Sequence, residues 1–158
     1  MAVIHPPILR RYGEKMTAIH PEIILAEETM RVPVDEFHSW VRAHDHVTLD
    51  IEHIWKFTLH DAPMNQLFDL VRSVFEQSAD KVRHVHMPGY LPGQGEHRPM
   101  YTSREFCLGI FDILADHNFD GLVVSETDVP FQNPFDMKMD MLLFQRWQQL
   151  YQASEVPA

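Results

Sequence analysis

The sequence predicts an α/β fold with four parallel strands and flanking helices. One pattern carries that prediction. A short apolar run, a polar turn and a longer stretch with three- and four-residue apolar spacing recur four times along the chain. Strands that alternate with helices pair in parallel, because a parallel neighbour is reached only through a crossover connection. A second observation gives the pattern chemical content: each apolar run closes on an acid or an imidazole, at Glu28, Asp50, His86 and Glu126.

The elements follow in order. Ile8 to Ile19 reads as a helix of about residues 8–19 that feeds the first strand. The first run, Ile23-Ile24-Leu25-Ala26, ends in Glu27-Glu28. Beyond Pro33, the residues Phe37, Trp40, Val41 and His44 recur at helical spacing. The second run is Val47-Thr48-Leu49-Asp50-Ile51, and Leu67, Leu70, Val71 and Val74 mark the helix after it. The third is Val82-Arg83-His84-Val85-His86-Met87, followed by the Pro/Gly loop 88–95. Thr102 and Glu105 have capping-box spacing ahead of a helix that carries Phe106, Ile110, Ile113 and Leu114. The fourth run is Leu122-Val123-Val124-Ser125-Glu126. Asn133-Pro134 then supplies a cap and a first-turn proline for a last helix through Met141, Leu142, Phe144, Trp147 and Leu150.

Composition narrows the function. The chain has 158 residues, 45% hydrophobic and 23% charged, which suits a single domain over 1–158. No apolar run approaches the ~20 residues of a membrane span, and the first residues lack a signal-peptide core. No membrane partner is expected, and a cytoplasmic location is. Acids outnumber bases 23 to 13, for a net charge of −10, and no basic run exceeds Arg10-Arg11. Phosphate-backbone binding draws on a basic face, so nucleic acid is disfavoured as a partner. The one cysteine, Cys107, excludes an intrachain disulfide and sits at a core position. Eleven histidines in an acidic chain point to oxygen and imidazole ligands for any bound metal.

In parallel β/α folds the carboxyl ends of the strands open onto one face, where sites are built. Glu28, Asp50, His86 and Glu126 stand at the same relative place on four successive strands, so they are expected to converge. Three carboxylates and one imidazole form a mainly hard donor set that suits Mn²⁺, Mg²⁺ or Co²⁺, with Zn²⁺ also accommodated. Carboxylates gathered out of water repel, and a dication offsets that cost. Each residue also has a plain structural reading. Acids at strand ends cap turns, and His86 alone would be a packing residue.

Four motifs carry a family likeness. They are Leu25-Ala26-Glu27-Glu28-Thr29, Leu49-Asp50-Ile51-Glu52-His53, His84-Val85-His86 with Pro92-Gly93-Gln94-Gly95, and Phe119-Asp120-Gly121 ahead of Val124-Ser125-Glu126. In this order, from about Ile8 to Tyr151, the chain resembles the C-terminal half of the xylose isomerase-like barrel superfamily. That superfamily includes sugar phosphate isomerases/epimerases and family 2 apurinic endonucleases. The resemblance implies the (β/α)4 half of a TIM barrel, with Glu28, Asp50, His86 and Glu126 as metal ligands. It implies that Glu28 and Glu126 also exchange a proton with substrate, and that His53 contacts substrate or a second metal. Strand alternation sends Glu27 and Glu28 to opposite faces, and the motif favours Glu28. His97 and Arg98 would hold a sugar hydroxyl or phosphate, and Trp55 would stack on a sugar face. The loop Pro88 to Leu91 departs from the pattern in carrying no basic residue, and the Asp-x-His pair of the endonuclease branch is missing.

The expected function is a metal-dependent sugar or sugar phosphate isomerase/epimerase that works through an enediolate. The alternatives are an apurinic endonuclease-like phosphodiesterase and a non-catalytic half-barrel. A complete barrel needs eight strands and ~250 residues, whereas four strands leave two open edges. A second copy, or a complementary N-terminal half-barrel, is the expected partner.

Overall fold

The structure, a computed structural model, describes residues 1–154. The fold is α/β with parallel strands, but the described residues form five strands where the sequence predicts four. Strand β1 spans Ala2–Ile4 and leads directly into helix α1, Pro6–Ile19. Three residues ahead of two prolines give no readable period, which is why β1 escapes the apolar pattern. Then come β2 (Leu25–Glu28), α2 (Phe37–Ala43), β3 (Val47–Asp50) and the short helix α3 (Ile51–His53), which runs on as one π-helical turn, Ile54–Thr58. Helix α4 (Met64–Ser78), β4 (Val82–His86), α5 (Arg104–Asp116), β5 (Leu122–Val124) and α6 (Pro134–Ser154) complete the order.

The strands lie in the order β1-β2-β3-β4-β5, each parallel to its neighbours. Sequential parallel strands with right-handed crossovers place their helices on one face. The sheet curls as half of a barrel, so the other face is concave.

Period-two alternation divides the strands between the two faces. Leu49 and Val85 are fully buried in the same core cluster as Phe37, Leu67, Phe106 and Ile110. Each such side chain contributes about 1.5–3 kcal/mol by leaving water. Glu28, Thr48, Asp50, His84 and His86 take the opposite, concave face. Cys107 is a core residue, its thiol donating to the Met100 carbonyl at 3.4 Å, and burial pushes its pKa up to about 12.

Helix starts show both agreement and correction. Pro6 and Pro7 occupy the first positions of α1, where a missing N–H costs nothing. Asn133 caps α6 as expected, its Oδ1 accepting from the Phe135 and Asp136 amides at 3.1 Å each. The capping box at Thr102 and Glu105 does not form. The chain enters α5 through a 3-10 turn, Met100–Ser103, and the Thr102 hydroxyl donates to the Pro99 carbonyl instead.

Helix α6 also differs from its apolar pattern. Asp136 and Asp140 turn inward, where the Tyr101 hydroxyl donates to Asp136 at 2.6 Å and the Tyr101 amide and Ser125 hydroxyl donate to Asp140 at 3.0 Å. Leu143 is buried, but Met141, Leu142, Phe144 and Leu150 are exposed. No helix among the described residues is long and apolar enough to cross a membrane.

Candidate metal centre

Glu28, Asp50 and His86 are the last residues of β2, β3 and β4, and Glu126 stands two residues past β5. One ligand-capable atom from each of the four lies within 4.8 Å of the others. His86 Nδ1 is 2.7 Å from Glu126 Oε2, 3.4 Å from Glu28 Oε1 and 3.7 Å from Asp50 Oδ2. Neighbouring register accounts for part of this, since Asp50 and His86 are directly paired across β3 and β4.

Local structure fixes each group. Asp50 caps α3, its Oδ1 accepting from the His53 amide at 2.8 Å, and its own amide donates to the Thr29 hydroxyl at 2.8 Å. Its second oxygen, Oδ2, is thereby turned to the cluster. That atom, His86 Nδ1 and Glu126 Oε2 are buried, yet none has an aligned hydrogen bond among the described residues. Four ligand-capable atoms this close together are spaced so that one cation between them could be held by all four.

The charge balance agrees. Burial alone would raise the Glu28 pKa, but His86, His5 and His53 bring it below the usual carboxylate value. His86 also holds Glu126 low. Burial opposes charge on His86, yet contacts with Asp50, Glu126 and Glu28 outweigh it and push the imidazole up to about 11. In the metal-free protein an imidazolium thus neutralises part of the acidic cluster. A dication would displace that proton and take its place, so the residues fit a divalent metal.

Glu27 turns to the helix face, where its Oε2 lies 3.0 Å from His44 Nε2, so alternation separates it from Glu28. His53 joins the cluster, with Nδ1 3.4 Å from Asp50 Oδ2, 3.5 Å from Glu28 Oε1 and 3.1 Å from the Thr29 carbonyl. His97 stands beside it, ring centroids 6.0 Å apart, in a left-handed backbone conformation with φ of 52°. Arg98 is set differently, its guanidinium 5.8 Å over the Phe131 ring. Trp55 is not brought to the site. At 3% exposure it packs on Tyr90 and Phe106, and its indole N–H donates to the Ala62 carbonyl. No ring face is left for a sugar.

Two residues carry contacts the sequence did not assign. His5, immediately after β1, places Nε2 2.8 Å from Glu28 Oε2 with 60% of its side chain exposed. Its signal depends on recognising β1, because only a strand beside β2 puts it there. Glu52 is fully buried one turn behind the cluster and accepts from the His97 amide at 2.9 Å, while its other oxygen lacks a partner. Burial drives its pKa up to about 8. Two further groupings flank the first: Asp50, His53 and His97, and Glu52, Glu96 and His97. Glu96 is also ion-paired with Lys56.

Comparison with family models, with curated proteins and with solved structures found no match to this chain.

Proposed function

We propose that this protein is a metal-dependent isomerase or epimerase of small sugars or sugar phosphates, moving a proton at a carbon next to a carbonyl. The observation that supports this reading is the convergence of Glu28, Asp50, His86 and Glu126 on one position at the carboxyl ends of four parallel strands. These four residues would hold Mn²⁺, Mg²⁺ or Co²⁺, with Zn²⁺ also suited to the donor set. Such a cation supplies charge neutralisation for the oxygens of a 2-hydroxy carbonyl substrate. Glu28 and Glu126, from strands separated by β3 and β4, then flank the substrate carbon. One carboxylate takes its proton, and the same or the other glutamate returns it. His53, beside the cluster, and His97, next to His53, would orient substrate hydroxyls.

The test is solvent deuterium incorporation into a panel of ketoses and ketose phosphates with Mn²⁺ present. Exchange that is abolished in Glu126→Gln, in a variant that still folds, is the expected result. No exchange with any member of the panel contradicts the reading. A second reading, an apurinic endonuclease-like phosphodiesterase, has one observation in its favour: Asp50 is shared with His53 and His97, as a second cation would need. The net charge of −10 weighs against it. Nicking of abasic DNA without deuterium exchange would select it.

A further inference from the structure

Among the described residues the sheet ends on two unpaired edges, since β1 pairs there only with β2 and β5 only with β4. At β5, Leu122, Val123 and Val124 are all exposed. In a singly wound fold the helix after a strand covers the groove between that strand and the next. Helix α6 follows β5, yet no further strand lies beneath it among the described residues. Between them runs an apolar cleft of about 1160 Å³, lined by Val123, Val124, Phe131, Met137, Met141 and Phe144 among others. A strand laid parallel to β5, with its own helix beside α6, would cover these apolar side chains.

The opposite edge of the same molecule offers such a unit. Strand β1 is open on its outer side, and α1 carries exposed Ile8, Tyr12 and Ile19 at helical spacing. Charge matches as well. Residues 1–19 carry Arg10, Arg11 and Lys15 against Glu14, whereas residues 118–133 carry Asp120, Glu126 and Asp128 with no Lys or Arg. When the two strands run parallel, the first turns of α1, with Arg10 and Arg11, fall at the same end of the sheet as the loop after β5, with Asp128. A half-curled sheet that joins its own opposite edge needs one further copy to close, so the heterologous contact makes a ring of two.

We propose that two copies of this chain close head to tail, β5 and α6 of each receiving β1 and α1 of the other. The inference does not rest on the catalytic reading, because mass and metal binding are read separately.

Sedimentation velocity of the full chain at about 50 µM tests it. The expected species has twice the 18.5 kDa chain mass. Met141→Glu, on the cleft side, and Ile8→Glu, on the α1 side, change exposed positions of the monomer. Each is expected to raise the dimer dissociation constant by about 100-fold, because closure buries an unpaired charge. Circular dichroism checks that each variant folds, and serine at the same position replaces a glutamate that does not. A wild-type monomer or an open series of oligomers overturns the proposal. So does a dimer that survives either substitution, which would mean symmetric α6–α6 or α1–α1 pairing.

Discussion

Asp50 divides its two oxygens between architecture and chemistry: Oδ1 caps α3, and Oδ2 faces the cluster. Asn keeps a capping acceptor but loses the charge. Asp50→Asn is therefore expected to stay folded while Mn²⁺ affinity, measured by calorimetry, falls by about 100-fold or more. Glu52 gives a prediction in pH. Its native pKa, near 8, lies above the ordinary 4.5, so between those values the folded protein keeps a proton that the unfolded chain has released. Stability from this group is thus lost as pH rises from about 4.5 to 8. Glu52→Gln should melt like wild type near pH 4.5 in EDTA. Its advantage should grow with pH and level off above 8, at a size on the order of 2–4 kcal/mol. A constant difference across that range would show that Glu52 does not hold the proton. At this scale the sequence was informative where alternation alone decides, as in the separation of Glu27 from Glu28. It was silent where a contact depends on a distant element. His5 needs β1 beside β2, and Glu52 needs the loop that carries His97 to fold back on α3.

Among the elements, those with a long period were legible. Helices α4 and α5 and the apolar runs of β3 and β4 stand close to where spacing puts them, because each buries a full stripe against the core. Short elements were not. Strand β1 has three residues and α3 has three, too few for any period to register. Helix α6 was placed correctly but its buried face was not, because two aspartates and Tyr101, rather than apolar packing, fasten its first turns. The loop after β4 is closed by two backbone hydrogen bonds between Gly89 and Arg98, at 2.6 and 3.1 Å. A Cβ at Gly89 would run into the Pro99 carbonyl, which no side-chain rotation relieves. Gly89→Ala is expected to lower stability by about 1–3 kcal/mol and to loosen His97 from Glu52. Thermal melting and amide exchange at His97 check both effects. Full retention of His97 protection would show that the loop is held elsewhere.

At the scale of the molecule, five parallel strands set their carboxyl ends at one rim, and the acids and imidazole gathered there are costly without a counter-charge. That arrangement, more than any single residue, makes the chain a candidate for cation binding, and the carboxylates gathered there are what raise the His86 pKa. The most direct measurement is an anomalous difference map from a crystal soaked in Mn²⁺. One strong peak is expected within about 2.0–2.6 Å of a ligand atom from each of Glu28, Asp50, His86 and Glu126, and no such peak in Glu126→Gln. Manganese bound at other residues, or a map empty at this rim at saturating Mn²⁺, would contradict it.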